Sequence, residues 1–412
     1  MEPALVIRVA LPVPLPQLFD YLPPGAGPAA VAGCRVLVPF GRRRMVGVVM
    51  ETDVVSTLQA DRLQQVESVL DGGQAILGER LRELLRWCWQ YYKRAPGDVV
   101  ASALPPALRS SKGKLPGPSV NYRLTEAGRE AIARGAGRAK VQYAMLQAME
   151  DRQQAPEALS GIGSQWRKTL AALEQQGQVE TVPAPDETPA PVAGHELMPD
   201  QASAVESISK VLDGFGCHLL DGVTGSGKTE VYICLLEKVL AEGRQALVLV
   251  PEIGLTPQLL RRFRKRLGIE PAVIHSGLSA GERLASWDAA RTGRSPLLVG
   301  TRSALFTPMP RLGLVVLDEE HDASFKQQEG FRYSARDVAV KRAAELDIPV
   351  VLGSATPSLE SLRNAGLGRY DWHRLRERAT KAALPSWRVL DLCQQRMVHG
   401  LAEPALEAIG ET

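Results

Sequence analysis

Hydrophobic residues repeat with two different spacings along the chain. Near the N-terminus, residues 6–13, 34–40 and 45–50 form short alternating or β-branched runs that Pro and Gly interrupt, a pattern that predicts a small β-rich module. Further along, residues 217–220 and 312–317 are continuous apolar runs, as in the buried strands of a parallel sheet. The pattern therefore predicts an N-terminal β-rich region and a later α/β region.

The middle of the chain has helical spacing instead. Residues 81–92 are amphipathic and rich in Trp and Leu, which predicts a helix that closes the first region. Three further helical stretches and a short strand are predicted at 126–133, 141–151, 165–176 and 179–182. This combination resembles a winged-helix module, which binds DNA in some proteins and contacts other domains or proteins in others, so both alternatives stay open. Residues 183–194, rich in Pro, Ala and acidic residues, are predicted to be a linker.

Composition and charge narrow the class of protein. The 412 residues, 45% of them hydrophobic, suggest about three domains with ordinary cores. No apolar run approaches the roughly 20 residues of a membrane helix, so no membrane association is expected and a cytoplasmic location is predicted. Because the net charge is only +3, a nucleic-acid-binding surface would have to consist of local basic patches. The five scattered cysteines predict neither a disulfide framework nor a zinc site; they are Cys34, Cys88, Cys217, Cys234 and Cys393.

The strongest motif lies where a predicted strand gives way to a helix. Residues 221–230 read DGVTGSGKTE and satisfy the phosphate-loop pattern. The glycines allow backbone N–H groups to surround a phosphate, Lys228 brings positive charge to the β and γ phosphates, and the Thr229 hydroxyl is a natural Mg²⁺ ligand. The predicted nucleotide-binding residues of the loop are Gly222, Val223, Thr224, Gly225, Ser226, Gly227, Lys228 and Thr229. The motif therefore predicts binding of ATP with Mg²⁺.

An acidic segment follows the apolar run at 312–317, at a strand end expected beside the phosphate loop. Asp318 is predicted to hold Mg²⁺ together with Thr229, and Glu319 to orient and deprotonate a water in line with the γ phosphate. His321 is placed to sense the outcome of hydrolysis. The predicted catalytic set is Lys228, Thr229, Asp318, Glu319 and His321.

A third apolar run, at 350–357, ends in Ser354 and Thr356. Alone it is an ordinary strand-to-turn transition. The order of phosphate loop, Asp-Glu-Glu-His and Ser-Ala-Thr, however, resembles superfamily 2 helicase motors. Residues 247–258, 300–306, 318–322 and 326–333 extend this similarity, and the chain resembles the PriA family of replication-restart helicases, the primosomal proteins N-prime.

The resemblance assigns a coupling role to the segment after Asp-Glu-Glu-His. Residues 326–333 resemble the family's aromatic-rich loop, which couples DNA contact to ATP hydrolysis. The aromatic rings of Phe331 and Tyr333, together with Phe325 just before the loop, offer faces on which bases can stack. The cations Lys326 and Arg332, together with Arg336 just after the loop, offer positive charge for phosphates. The alternative is an aromatic cluster that packs the loop onto the core. The predicted coupling residues are Lys326, Phe331, Arg332, Tyr333, Ser354 and Thr356.

Three other features of the motor are assigned in the same way. Gln201 resembles the glutamine that reads the adenine edge in many such motors, with a solvated residue at a helix start as the alternative. Thr301 and Arg302 are expected on the phosphates of a single strand. The basic run at 261–266 either contacts DNA or is a solvated helix face.

At the N-terminus, residues 14–21 and 33–41 resemble the family's 3′-end-binding domain. In its pocket, Phe19 or Tyr21 would stack on the terminal base of a nascent strand while Asp20 accepts a hydrogen bond from the free 3′ hydroxyl. By composition alone, Phe-Asp-Tyr is more typical of a turn with packed rings. Arg42, in the following hairpin, would supply charge for the DNA backbone.

The resemblance implies a multidomain fold class. The expected parts are a small β-rich 3′-end-binding domain at 1–105, a winged-helix α+β domain at 106–182, a linker at 183–196, a RecA-like α/β P-loop helicase lobe at 197–384 and the start of a second lobe at 385–412. Residues 384–391 resemble the strand that enters that second lobe, and 404–409 begin a helix. The rest of the second lobe, with the structural zinc and the arginine finger of the family, is expected outside this chain.

The implied activity is that of an ATP-dependent 3′-to-5′ DNA helicase of the replication-restart primosome, which recognises stalled or branched forks and nascent 3′ ends. The implied partners are forked and single-stranded DNA, other primosome proteins and single-stranded-DNA-binding protein. One alternative is a fork- and 3′-end-binding fragment that binds nucleotide with little turnover, because loss of an arginine finger costs on the order of 10³-fold or more. A P-loop ATPase acting on protein or small-molecule cargo is a more distant alternative.

Overall fold

A computed structural model describes most of the chain. It covers residues 5–117, 120–135, 139–150, 153–154, 159, 161–163, 165–183, 194, 196–378, 389–393 and 397–410. The predicted linker therefore falls mainly outside the described residues, as does most of the strand predicted at 384–391. In the described part, no helix is both long enough and apolar enough to cross a bilayer.

The N-terminal region is a six-stranded, mainly antiparallel sheet with two helices. Its strands are β1 (Leu5–Ala10), β2 (Phe19–Leu22), β3 (Arg35–Phe40), β4 (Arg43–Val55), β5 (Gln64–Gln65) and β6 (Ser68–Val69), in the order β5-β2-β1-β4-β3-β6. The helices are α1 (Glu79–Tyr91) and α2 (Pro96–Ser102). Strand β1 pairs with β2 and β4, and side chains on both of its faces, such as Val6 and Val9, are fully buried. The short β-branched runs of the sequence thus form the centre of this sheet.

A buried ion pair ties the end of this region to its sheet. The Arg35 guanidinium donates to both carboxylate oxygens of Asp71, at 2.7 Å each. It also donates to the carbonyl oxygens of Leu108, Ser110 and Gly113, at 2.6, 3.3 and 2.9 Å. Because the side chains of Arg35 and Asp71 are only 1% and 4% exposed, this ion pair is shielded from water, and the guanidinium fixes the segment that leaves α2.

The described residues of the middle region form three helices and a two-stranded antiparallel sheet. The strands are β7 (Val120–Leu124) and β8 (Val179–Pro183), and the helices are α3 (Glu126–Ala133), α4 (Lys140–Ala148) and α5 (Trp166–Gln175). A separate small core, including Met145, Leu146 and Leu173, holds them together. The helices and the strand predicted from the sequence are all present, while the assignment as a winged helix stays a prediction.

The third region is a seven-stranded, all-parallel sheet flanked by helices. Its strands are β9 (Gly216–Gly222), β10 (Gln245–Leu249), β11 (Ala272–Ile274), β12 (Leu297–Gly300), β13 (Leu312–Leu317), β14 (Pro349–Ser354) and β15 (Asp371–Leu375), in the order β11-β12-β10-β13-β14-β9-β15. The helices are α6 (Pro199–Ser209), α7 (Lys228–Ala241), α8 (Pro257–Leu267), α9 (Ala280–Thr292), α10 (Ala335–Leu346) and α11 (Leu359–Gly366). A short hairpin of β16 (Met397–Val398) and β17 (Leu401–Ala402) precedes α12 (Glu403–Gly410).

The strand order places three chemically important turns at one sheet edge. Strand β14 lies between β13 and β9 and is parallel to both. The carboxyl ends of these three neighbours lead into the phosphate loop, Asp318 and the segment after Ser354. In open parallel sheets, ligands bind beyond the carboxyl ends of the strands.

The N-terminal and parallel-sheet regions share one hydrophobic core. Leu84, Leu85 and Cys88 of α1 belong to the same buried cluster as Val338 and Ala339 of α10. In a further contact, the Trp287 indole N–H donates to the Ala103 carbonyl oxygen at 3.0 Å. The two regions are therefore joined by packing as well as by the chain.

Candidate functional site

The phosphate loop connects β9 to α7. Gly225 and Gly227 have φ angles of 83° and 84°, in the left-handed region that glycine adopts without strain. The Ser226 hydroxyl is buried and has no hydrogen-bond partner within the described ranges. The Lys228 ammonium, also buried, donates to the Gly222 carbonyl oxygen at 2.9 Å. An orphan hydroxyl and a cation at a helix N-terminus fit the phosphates of a nucleotide.

Two carboxylates face this loop from the end of β13. The Glu319 Oε1 lies 3.7 Å from the Lys228 Nζ, and Glu319 has a φ of 51°, a strained conformation for a residue other than glycine. Burial raises the pKa of Asp318, and the adjacent charge of Glu319 raises it further. A bound divalent cation would favour the ionised carboxylate, so Asp318 fits a Mg²⁺ ion coordinated by oxygen atoms.

A tyrosine that sequence reasoning missed holds Asp318 in place. The Tyr232 hydroxyl donates to the Asp318 Oδ1 at 3.0 Å, and its ring is fully buried. A Cβ at Gly353, on the neighbouring strand, would lie only 1.6 Å from that hydroxyl oxygen. Burial and the Asp318 carboxylate keep the pKa of Tyr232 well above its usual value, so the hydroxyl stays a donor. Its position four residues after Lys228 was the available signal, because such residues share one helix face.

The predicted sensor contacts the third motif directly. The His321 Nδ1 and the Ser354 Oγ are 2.7 Å apart. The Thr356 backbone N–H donates to the same Ser354 Oγ at 3.0 Å, while the Thr356 side chain is exposed. The His321 Nδ1 also lies 3.6 Å from the Glu319 Oε2. The structure thus brings His321 and Ser354 together beside the acidic pair.

The Gln201 side chain makes two hydrogen bonds within the protein. Its amide N–H donates to the Ser226 carbonyl oxygen at 2.8 Å, and its Oε1 accepts from the Met198 backbone N–H at 3.0 Å. The side chain is buried, so the alternative of a solvated residue is wrong. The neighbouring pocket is small, about 70 Å³, and Leu375 and Glu377 also line it. Gln201 therefore connects the start of α6 to the phosphate loop, and its role in reading adenine stays a prediction.

The rings of the aromatic-rich loop pack inside the protein. Phe325, Phe331 and Tyr333 are only 3%, 7% and 7% exposed. Phe331 stacks on Tyr333 with ring centroids 4.8 Å apart, and both pack against Phe306. Rings so covered offer no face to a base, which corrects the expectation of stacking and matches the packing alternative. Lys326 and Arg332 are exposed on the same loop.

Several cations expected on phosphates are occupied by protein groups. The Arg336 Nη1 lies 3.0 Å from the Glu320 Oε2, which corrects the expectation that Arg336 seeks phosphate. The Arg302 Nη1 donates to the Ser324 carbonyl oxygen at 2.6 Å, and Thr301 is buried. In the basic helix α8, Arg262 and Arg266 both pair with Glu230 of α7, while Arg261 and Lys265 are exposed.

The N-terminal sheet carries a separate open cavity of about 550 Å³. Asp20 lies in its wall, where its carboxylate accepts from the Arg8 Nε at 3.3 Å and from the Ser56 Oγ at 2.7 Å. Phe19 is half-buried and meets Phe40 edge to face at 5.2 Å. Nothing in the sequence pattern singled out Arg8 or Ser56, because the sheet register brings Arg8 opposite Asp20 and Ser56 reaches Asp20 from the residue after β4.

The position of Tyr21 differs from the one predicted for it in the pocket. Its ring is buried and its hydroxyl donates to the Pro39 carbonyl oxygen at 2.8 Å. The ring therefore belongs to the core of the sheet, and Phe19 is the aromatic residue of the pair that remains accessible. Arg42 lies exposed in the turn between β3 and β4.

Two family models match the chain. Residues 8–105 match the 3′ DNA-binding domain of PriA, and residues 198–365 match the DEAD/DEAH box helicase domain. A curated relative from Haemophilus influenzae, named replication restart protein PriA, is 39% identical over 98% of this chain and 56% of its own length. A relative of the same name from Bacillus subtilis is 33% identical over 92% of this chain and 56% of its own length. The chain thus spans about half the length of these relatives.

Proposed function

Because the chain belongs to the PriA family of replication restart proteins, we propose that it provides the DNA-binding and ATP-binding parts of a 3′-to-5′ DNA helicase. The proposed substrate is a stalled or branched fork with a nascent 3′ end. Other primosome proteins and single-stranded-DNA-binding protein are the proposed partners, and the domain bounds and cytoplasmic location predicted above belong to the same proposal.

The observation that carries the proposal is the meeting of Lys228, Asp318 and Glu319 at one sheet edge, with the Lys228 Nζ and the Glu319 Oε1 3.7 Å apart. Lys228 would bind the β and γ phosphates, and Glu319 would orient and deprotonate the attacking water. Asp318 and Thr229 would hold Mg²⁺, which supplies charge neutralisation on the phosphates. Tyr232 would fix the Asp318 carboxylate.

In the N-terminal cavity, Asp20 is proposed to accept a hydrogen bond from a free 3′ hydroxyl. Its two oxygens already accept from Arg8 and Ser56, and a carboxylate has capacity for about four donors. Phe19 would offer the stacking face. Arg62, which also lines the cavity, lies where a cation would attract the DNA backbone.

A second candidate is binding of DNA and nucleotide with little turnover by these 412 residues. It is favoured by the positions of Arg302 and Arg336, whose guanidinium groups are engaged by Ser324 and Glu320. A transition state for phosphoryl transfer requires positive charge beyond the loop lysine, and a missing arginine costs on the order of 10³-fold or more.

The test is equilibrium binding of the chain to forked DNA that ends in a free 3′ hydroxyl or in a 3′ phosphate, with ATP turnover recorded in the same samples. We expect tighter binding to the hydroxyl end, because a phosphate would meet the Asp20 carboxylate. Equal affinity for both ends would refute the pocket assignment. Strong turnover on DNA would refute the second candidate, and turnover that ignores DNA would favour an ATPase with another cargo.

A further inference from the structure

We propose that Glu320 is a positioning residue that links the aromatic-rich loop to the nucleotide site. The proposal rests on the function proposed above and names the contact through which DNA and nucleotide influence one another. Glu320 is the third residue of Asp-Glu-Glu-His, and its side chain is completely buried. A buried carboxylate is strongly destabilising unless it is paired and hydrogen-bonded.

Donors from two other segments surround this carboxylate. The Glu320 Oε1 accepts from the Ser358 backbone N–H at 2.7 Å. The Oε2 accepts from the Ser358 Oγ, the Ser361 Oγ and the Arg336 Nη1, each at 3.0 Å. Four donors fill the capacity of a carboxylate. We call the group of Glu320, Arg336, Ser358 and Ser361 the acidic hub.

Arg336 connects the hub to the aromatic-rich loop. It lies in the first turn of α10, three residues after Tyr333. The loop is closed just before it, because Lys326 and Ser334 form an antiparallel bridge and the Gln327 N–H donates to the Tyr333 carbonyl oxygen at 2.9 Å. A displacement of the closed loop therefore moves the Arg336 guanidinium.

Glu320 connects the hub to the nucleotide site. It stands between Glu319 and His321, and its backbone N–H donates to the Gly353 carbonyl oxygen at 2.9 Å. Ser358 continues the segment that begins at Ser354, the hydroxyl of which contacts His321. The same carboxylate therefore holds two of the turns around the γ-phosphate position, and both would shift together with Arg336.

The surroundings leave room for such a shift. A cavity of about 200 Å³ lies between the hub and the loop, with Glu320, His321, Lys326, Arg336 and Ser358 in its wall. This volume is several times the roughly 30 Å³ that one water occupies in the liquid. Exposed Lys326 reaches the cavity from the loop, so a DNA phosphate drawn to Lys326 would act close to Arg336.

The test is thermodynamic linkage in the 412-residue chain. The affinity for fluorescent MgADP is measured without DNA and with saturating single-stranded DNA. For the unaltered chain we expect the two affinities to differ by a factor on the order of 5 to 150, as is usual for coupled sites. In Glu320→Gln, an NH2 group replaces one of the two acceptor oxygens, and the negative charge that pairs with Arg336 is lost. We expect the factor to fall to within about twofold of one, while each separate affinity changes by less than about threefold.

Glu360→Gln is the matched control. The Glu360 carboxylate is exposed and lies 3.8 Å from the Arg336 Nη2, so the same chemical change near the same guanidinium should leave the linkage factor unaltered. Arg336→Lys keeps the charge but loses the planar guanidinium, and it should lower the factor to an intermediate value. This variant also decides the matter if Glu320→Gln does not fold, as judged by its thermal unfolding.

The possible results separate the two proposals. Linkage that survives in both Glu320→Gln and Arg336→Lys would overturn the role of the hub. Binding of both ligands without any linkage in the unaltered chain would also overturn it, but would leave the proposed function standing. Failure of the unaltered chain to bind either nucleotide or DNA would overturn the proposed function, and the hub with it.

Discussion

The edge of the parallel sheet and the cavity of the N-terminal sheet differ in how their side chains are fixed. At the edge, Lys228 is buried, and Asp318 is half-buried but accepts from the hydroxyl of the fully buried Tyr232. In the cavity, Asp20 and Phe19 are half-buried beside an open space of about 550 Å³. The proposed triphosphate site is therefore built in advance for a small, constant ligand, whereas the proposed strand-end site keeps room for different bases.

The largest effect is expected from a substitution of Arg35, which lies in the N-terminal sheet but outside its cavity. Arg35→Ala leaves Asp71 as a buried charge without its partner and three carbonyl groups without their donor. We expect the free energy of unfolding to fall by about 3–5 kcal/mol, measured by urea denaturation. Arg44→Ala breaks an exposed pair with Glu67 and should cost less than about 1 kcal/mol. Equal losses in the two variants would mean that burial does not decide the strength of these pairs.

The next largest effect is expected at the parallel-sheet edge. Lys228→Ala removes the ammonium that we propose binds the phosphates, and we expect the affinity for MgADP to fall by about 10- to 100-fold, as for loss of a hydrogen bond to a charged group. Isothermal titration measures this change. Preference for a free 3′ hydroxyl should be unaffected, because the cavity lies in the other sheet. A parallel loss of 3′-end preference would contradict the separation of the two sites.

A smaller effect, on stability, is expected where Gly353 contacts Tyr232, the residue that donates a hydrogen bond to Asp318. Gly353→Ala places a Cβ against the Tyr232 hydroxyl and should destabilise the fold by about 1–3 kcal/mol. Tyr232→Phe removes the hydroxyl, so the double variant Gly353→Ala/Tyr232→Phe should recover part of the loss. Thermal unfolding of the single and double variants gives the coupling. Strict additivity would show that the hydroxyl is not what restricts residue 353.

The smallest effect is expected in the cavity. Asp20→Asn keeps the shape but removes the charge, and the preference for a 3′ hydroxyl over a 3′ phosphate should shrink by about 3- to 10-fold, the loss of roughly one hydrogen bond. Fluorescence anisotropy with the two forked DNAs measures the ratio. Nucleotide affinity serves as the internal control. An unchanged ratio would mean that Asp20 does not recognise the strand end.

The two sites also differ in how far the sequence predicts them. At the sheet edge, Asp318 and Lys228 come one and six residues after strands β13 and β9, and Ser354 is the last residue of β14, so the parallel pattern alone brings them together. Tyr232 and Glu320 act through burial, which the motif does not encode. In the cavity, the register of an antiparallel sheet pairs Arg8 with Asp20, and no local spacing reports such pairing.

The aromatic residues mark another limit of sequence reasoning. The sequence predicts that Phe331, Tyr333 and either Phe19 or Tyr21 face a base, whereas Phe331, Tyr333 and Tyr21 lie in the core. A ring suits both stacking on DNA and packing in a protein interior. Only the tertiary structure decides between the two, because the choice depends on which neighbouring surface covers the ring.

The core that α1 shares with α10 bears on any attempt to transplant the N-terminal sheet into another protein. Leu84, Leu85 and Cys88 pack within a cluster that extends into the parallel sheet region. A detached copy of the N-terminal sheet would expose these apolar side chains to water and tend to self-associate. A designer would first have to substitute polar residues on that helix face, because the N-terminal sheet and the parallel-sheet region are packed as one unit rather than as interchangeable modules.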